Sequence, residues 1–470
     1  MAHGYRSLER GKRQTYQKTL RVLLMGLGLL LLCIAFYQVW VHAYNPYIRI
    51  SFYRRGNYML TLLYAVVLSA CIFVMKGQNI GETRLLEIIV SQCIALLMCT
   101  VIMYFPLSLL QYALLNPGPL LLLLLGQFVM VVLWNLFANR LYFSQIPPLR
   151  LLLVYESEDA DGHGDVAAKL AGIPNRYEIC GRVSVQEGCG GIAAMLPDYD
   201  AVLFSGGSVE LRERLARQCF EQERRLFWVP SATDVIVNSA KRLHIVDTPL
   251  LYTQVMRTQT LDCLIKRIFD LVVSAVLLVV TSPLLLIAAA AVKLCDGGPV
   301  LFRQERLTIN GRVFRIFKFR SMVVDAEKSG QRLAEQNDSR ITPVGKLLRK
   351  TRMDELPQLI NVLIGDMSLV GPRPECPSIA AEYEKTLPQF SYRLKVKAGI
   401  TGYAQVYGSY TTSPKDKLLM DLMYIEGWSF SLDINLFLLT LRTLFMTEKT
   451  LGREEENPSY KKKDSIEVQS

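Results

Sequence analysis

Residues 1–150 contain four long apolar stretches: Val22–His42, Asn57–Met75, Leu86–Pro106 and Gly118–Ala138. A membrane-crossing helix needs about 20 consecutive apolar residues, so each is long enough to span a bilayer. Within lipid, backbone polar groups must be satisfied inside the segment, which makes helices the expected form. The region 1–148 is therefore predicted to be a four-helix transmembrane bundle. Arg6, Arg10, Lys12, Arg13, Lys18 and Arg21 precede the first stretch and predict a cytoplasmic N-terminus. A cleaved signal peptide fits less well, because the run is too long and no small-residue cleavage site follows. Four crossings return the chain to the cytoplasm at Arg140 and Arg150. The uncharged loop near 107–117 suits an outer position, whereas Arg49, Arg54 and Arg55 in the loop 43–56 run against it.

Charge divides the rest of the chain. Residues 1–150 hold 13 Lys+Arg against three acids, residues 151–261 hold 11 against 15, and residues 262–470 hold 29 against 24. With 51% hydrophobic residues and a net charge of +11, a disordered chain is excluded. The shifts place domain edges near 150 and 261. Ten cysteines form no CxxC pair, and the four histidines are scattered, so neither a disulfide framework nor a zinc site is expected.

The middle region, 149–255, reads as a Rossmann-like α/β domain. Leu149–Tyr155, Glu178–Val183, Asp200–Phe204 and Leu226–Val229 look like short buried strands, with helical runs such as Val209–Gln222 between them. A dinucleotide site would need a glycine-rich turn after the first strand. The segment Glu156–Gly164 is acidic instead, so a scaffold or interaction module is the expectation.

A fifth apolar run, Leu271–Val292, has Ser282-Pro283 at its centre and basic flanks, Lys266/Arg267 and Lys293. Proline removes a helix hydrogen bond and clashes with the carbonyl four residues back. A re-entrant helix over 264–294, broken at Ser282-Pro283, keeps both basic ends cytoplasmic. An ordinary fifth span with a proline kink is the alternative.

Chemistry concentrates on the C-terminal side of this run. Val300–Met353 carries 13 Lys+Arg against five acids, interleaved with aromatics in Phe302-Arg-Gln-Glu-Arg306 and Phe314-Arg-Ile-Phe-Lys-Phe-Arg320. On a membrane-tethered chain, anionic lipid or a diphosphate ligand is a better partner than nucleic acid, although a merely solvated basic face has the same composition. Arg349, Lys350 and Arg352 then precede the adjacent carboxylates Asp354 and Glu355. A carboxylate can serve as a phosphoryl nucleophile, and carboxylates with phosphate oxygens form the usual Mg²⁺ cage. Such a pair is most often plain helix surface. Beyond it, Gly371-Pro-Arg373-Pro forms a rigid turn able to aim one guanidinium at a phosphate.

Together with Thr342-Pro-Val-Gly345, Arg349–Asn361, Gly365–Pro374 and Gly399-Ile-Thr-Gly402, these motifs make the stretch 262–447 resemble the bacterial sugar transferases that move hexose-1-phosphate onto polyprenyl phosphate. The four-span bundle and α/β region resemble the N-terminal half of the family's large members. The resemblance implies a catalytic domain over 256–451, α-rich and built on the re-entrant helix. The charged end, 452–470, reads as a disordered tail. It implies Asp354 as the nucleophile that attacks a nucleotide sugar and holds the sugar phosphate, Glu355 as its assistant, and Mg²⁺ on Asp354 and Glu355. Substrate contacts are implied at Lys318, Arg320, Arg349, Arg373, Thr401 and Gly402. The implied partners are a UDP-sugar donor, polyprenyl phosphate (undecaprenyl phosphate) and the bacterial cytoplasmic membrane, with the catalytic domain on the cytoplasmic side. The oligomeric state stays open, a homodimer included. Three positions depart from the family pattern: Thr308 for its usual Gly, Ala398 for Pro and Tyr403 for Trp. A nucleotide-sugar dehydratase needs GxxGxxG and YxxxK, absent from 262–470; a non-catalytic assembly protein would not need the Asp354-Glu355 pair, Lys318 and Arg373.

Overall fold

The computed structural model describes residues 2–48, 51–155, 166–167, 169–170, 172–245, 247–253, 260–323, 338, 340–408 and 412–444. The acidic segment Glu156–Gly164 and the tail 452–470 lie outside the described residues. The chain divides into two compact units, Met1–Pro230 and Ser231–Ser470.

In the first unit, the four apolar stretches fall in helices α1 (Ala2–Val39), α2 (Arg54–Val74), α3 (Leu85–Gln111) and α4 (Gly118–Gln145). Each is long and apolar enough to cross a membrane. Their packing reverses the pattern of a water-soluble bundle. Leu122, Leu125 and Leu133 face outward, while Asn57, Gln92, Gln127 and Asn135 are buried between helices. The buried amides find partners: Trp40 Nε1 donates to Asn57 Oδ1 (2.8 Å), Asn135 Nδ2 to Gln92 Oε1 (2.7 Å) and Gln127 Nε2 to the Leu32 carbonyl (3.1 Å). Apolar outside and hydrogen-bonded polar inside is what lipid demands. The chain is a membrane protein.

The same unit holds a four-stranded, all-parallel sheet in the order β2-β1-β3-β4, made of β1 (Leu149–Tyr155), β2 (Tyr177–Ser184), β3 (Ala201–Ser205) and β4 (Arg225–Trp228). Leu152 and Val154 of β1 and Val202 and Phe204 of β3 pack with Ile192, Leu215 and Cys219 from the intervening helices. Ser208 caps the helix Val209–Glu221, accepting from Leu211 N.

The second unit is built round the long helix Thr260–Asp296, which runs through Pro283. Proline at 283 has no N–H for the Val279 carbonyl. The Ser282 hydroxyl donates to that carbonyl at 2.7 Å, which explains why serine precedes the proline. The base of the helix is fastened by charged side chains. Arg267 donates to the Val362 and Leu363 carbonyls, Lys266 to the Val370 carbonyl and to Asp433, and Asp270 accepts from Leu369 N. Lys266 and Arg267 read as a topogenic flank in the sequence; in the fold they are also structural anchors.

Two more findings differ from sequence expectation. The apolar segment Leu432–Met446, which contains Asp433 and Arg442 and is too short to span, reads as an interfacial helix in the sequence; the observed helix is Phe430–Leu444. Both charged residues are buried, as are Leu436 and Leu439, and Asp433 is neutralised by Lys266 and accepts from Tyr424 and Trp428. The helix is therefore a core element. In addition, β5 (Lys241–Ile245) and β6 (Thr248–Tyr252) form a separate antiparallel hairpin with β6 exposed throughout.

Candidate active site

The site is assembled on three supports. The first is the hairpin of β7 (Leu301–Leu307) and β8 (Val313–Phe319), with Phe314 and Ile316 in the core and Lys318 near the end of β8. The second is the helix Pro343–Lys350. Thr342 caps it, accepting from Gly345 N at 3.0 Å, and Pro343 occupies its first turn. A Cβ at Gly345 would collide with the Ser321 carbonyl, so the Thr-Pro-x-Gly pattern combines a cap with a close backbone approach. Arg349, from the last turn of this helix, donates to Ser321 Oγ at 2.8 Å. Arg352 adopts a left-handed conformation (φ 54°) and swings the chain into the short 3₁₀ turn Met353–Glu355 that carries both carboxylates.

The helix that follows the turn, Gln358–Ile364, is pinned to the hairpin by buried Asn361, which donates to the Arg315 carbonyl (2.8 Å) and accepts from Phe317 N (2.9 Å). The third support is the crossing of Gly371-Pro-Arg-Pro374 with Gly399–Gly402. β9 (Ser368–Val370) and β10 (Gly399–Thr401) pair in parallel, Gly371 N donates to the Thr401 carbonyl and Gly399 N to the Pro372 carbonyl. A Cβ at Gly371 would collide with the Lys397 carbonyl and one at Gly402 with the Gly371 carbonyl. Both glycines are needed for backbone contact.

These supports bring Lys318, Asp354, Glu355 and Arg373 together. Glu355 Oε1 accepts from Arg373 Nη2 at 2.8 Å and from Lys318 Nζ at 3.1 Å. Arg373 remains 46% exposed, while the Lys318 and Glu355 side chains are mostly enclosed. No hydrogen bond to the Asp354 carboxylate is made by any donor among the described residues. Electrostatics separates the two acids. Burial, followed by the neighbouring Glu355 charge, pushes Asp354 up to about 6 against the pull of Lys318, Arg349 and Arg373. Burial also disfavours the Glu355 anion, but Arg373 and Lys318 outweigh it and hold that carboxyl well below the usual range. Lys318 is lowered by burial and by Arg373, against Glu355. Adjacent carboxylates driven apart can take different roles: Glu355 is an anion held through one oxygen by two cations, and Asp354 accepts from no donor among the described residues.

The other sequence candidates lie as follows. Arg320 is buried, its guanidinium against Gly298 at the foot of the long helix. Thr401 is buried and shares a 2.6 Å hydrogen bond with Thr440, and Gly402 packs on Gly371. Ser282 and Pro283 lie within the long helix, which is continuous there and not broken as the sequence suggested. Two of the departures from the family pattern meet: Ala398 N donates to Thr308 Oγ1 (3.2 Å), which donates to the Asp366 carbonyl (2.9 Å). An N–H that proline lacks is met by a hydroxyl that glycine lacks. Sequence reasoning missed Arg393 and Asp421, whose roles depend on contacts between distant segments.

Among the described residues, no group of three or more His, Cys, Asp or Glu side chains could hold a metal. Mg²⁺ commonly uses one or two carboxylates and completes its shell with phosphate oxygens and water. The hard oxygens of Asp354, which accept from no donor among the described residues, and the second oxygen of Glu355 fit that ion.

A model of the family described as bacterial sugar transferase matches residues 261–447. The chain is 35% identical over 259 residues to a UDP-N-acetylgalactosamine-undecaprenyl-phosphate N-acetylgalactosaminephosphotransferase of Aeromonas hydrophila, covering 53% of this chain and 60% of that one. It is 40% identical over 210 residues to a UDP-glucose:undecaprenyl-phosphate glucose-1-phosphate transferase of Klebsiella pneumoniae, covering 44% of this chain and 43% of that one. The chain thus spans between two fifths and three fifths of the length of these two relatives. An uncharacterized sugar transferase of Bacillus subtilis is matched over 89% of its length at 40% identity. With its carboxylate pair, Lys318 and Arg373 assembled inside the matched segment, this chain belongs to the bacterial sugar transferases.

Proposed function

We propose that the protein transfers a hexose-1-phosphate from a UDP-sugar to undecaprenyl phosphate, the first membrane step in building a bacterial surface polysaccharide. The observation that carries this reading is the division between Asp354 and Glu355: one carboxylate that accepts from no donor among the described residues beside one held through a single oxygen by two cations. Asp354 attacks the sugar-bearing phosphorus of the diphosphate, forming an acyl phosphate as the bond to uridine monophosphate breaks. The phosphate oxygen of the lipid then attacks the same phosphorus and releases the Asp354 carboxylate. Lys318, Arg349 and Arg373 offset the negative charge that develops on the phosphoryl oxygens. Glu355 keeps Lys318 and Arg373 in place, so the cations are organised before substrate arrives. Asp354 and Glu355 would hold Mg²⁺, which neutralises diphosphate charge when bound. Arg320, Thr401 and Gly402 are proposed to shape the substrate pocket from behind.

The setting is the bacterial cytoplasmic membrane, with the catalytic unit facing the cytoplasm, where nucleotide sugars are available. Four helices span the bilayer, and the helix 264–294 re-enters on the cytoplasmic side, supported by its basic flanks and by Pro283. The parallel sheet is read as a Rossmann-like module of a 149–255 domain, followed by the 256–451 catalytic domain, and a homodimer is compatible with this arrangement. Relatives whose names specify glucose or N-acetylgalactosamine leave the sugar to experiment. The test is a panel of UDP-glucose, UDP-galactose and UDP-N-acetylgalactosamine with undecaprenyl phosphate, scored by release of uridine monophosphate with and without a Mg²⁺ chelator. One donor should support Mg²⁺-dependent release; release from none would reject the reading.

A further inference from the structure

We propose that Arg393, paired with Asp421, is a positioning residue for the transfer reaction: it fixes the turn from which Arg373 reaches Glu355. The inference rests on the proposed transfer reading. The carbonyls around this turn are held one after another. Val370 accepts from Lys266 and Tyr424, Pro372 from Gly399 N, Arg373 from Arg393 Nη2 at 2.8 Å, and Pro374 from Arg306 Nη1 at 3.2 Å. The carbonyl of Arg373 itself is thus held by a side chain from a separate segment.

Arg393 is 4% exposed and is the hub of this arrangement. Its Nε and Nη2 lie 3.0 and 2.8 Å from Asp421 Oδ2, its Nη1 lies 3.4 Å from Glu375, and its guanidinium stacks on Phe390 with 4.8 Å to the ring centre. A buried ion pair is weak evidence for stability, because apolar residues of similar volume often serve as well. What an apolar pair lacks is a donor aimed at the Arg373 carbonyl. Among the described residues Arg393 makes no hydrogen bond to Asp354 or Glu355, so its influence runs through the turn. A displacement of about 1 Å in a catalytic group can cost about 10²-fold in rate.

The test measures nucleoside monophosphate release by the full chain in lipid nanodiscs, with thermal unfolding alongside. The apolar pair Arg393→Met/Asp421→Leu should keep the unfolding midpoint while kcat falls about 10- to 100-fold, with KM for the donor within about 2-fold of wild type. In an Arg373→Lys background, the same pair should lower kcat by less than about 2-fold, because residues acting through one another are not additive. Arg393→Lys provides an independent measurement. It keeps the charge opposite Asp421, but its compact ammonium does not fork between Asp421 and the Arg373 carbonyl, and kcat should fall. Undiminished kcat in folded Arg393→Lys, or an equal loss in both Arg373 backgrounds, would overturn the proposal. Wild-type protein that releases no nucleotide rejects the transfer reading and this inference with it; active wild type with additive losses rejects this inference alone.

Discussion

Arg373 and Glu355 are joined across 2.8 Å, and the Glu355 oxygen that accepts from Arg373 also takes the Lys318 ammonium at 3.1 Å. One carboxylate therefore holds both cations, while its neighbour Asp354 has no such engagement among the described residues. Two consecutive acids thus have different surroundings, and the proposed mechanism gives them different roles.

Substitution should reveal that separation. Asp354→Asn should reduce nucleotide release by about 10³-fold or more, because an amide cannot form the acyl phosphate. It should not lower the unfolding midpoint: ionising a carboxyl whose folded value is raised weighs against the folded state at neutral pH. Glu355→Gln should lower stability by about 1–3 kcal/mol, a buried-pair loss discounted for the partly exposed Arg373. Thermal unfolding of both variants checks the contrast, and near-normal turnover in Asp354→Asn rejects the covalent mechanism.

The rate should depend on pH through Asp354. With that carboxyl pushed up to about 6, its proton is retained below that value and the nucleophile is lost. The kcat/KM should fall about tenfold per unit well below pH 6 and level off above it. Glu355, held low, stays ionised across this window. A profile flat from about pH 5 to about pH 7.5 would contradict the assignment.

The course of the long helix can be read from its own cysteines. Cys263 and Cys295 lie near its two ends and both are exposed. A re-entrant helix presents both to the cytoplasm, so single-cysteine variants retaining either one should react with a membrane-impermeant maleimide only in inside-out vesicles. Labelling from opposite sides would establish an ordinary span.

Asp433 is fully buried and serves Lys266, Tyr424 and Trp428 at once. Asp433→Ala leaves the Lys266 ammonium without its counter-ion and should cost about 3–5 kcal/mol. The measure is the chemical-denaturation midpoint of the full chain in detergent. A shift within error of wild type would mean that Lys266 finds another partner.

Much of this protein was legible from residue order. The four apolar stretches became helices because helix formation and lipid exposure depend on local length and composition. The parallel strands emerged near their expected positions because β1 and β3 carry short, unbroken apolar runs, Leu151–Val154 and Ala201–Phe204. The adjacency of Asp354 and Glu355 is likewise local. The break expected at Ser282-Pro283 did not form, because the Ser282 hydroxyl takes up the Val279 carbonyl and the helix continues. Three-dimensional closure decided the rest. It buried Asp433 and Arg442 in a helix that sequence placed at an interface, and it set Arg393 behind Arg373. It also made opposite electrostatic partners of two adjacent acids. These outcomes depend on which distant donor reaches a given oxygen, and on how much water burial removes from it. Neither quantity is contained in the spacing of residues along the chain.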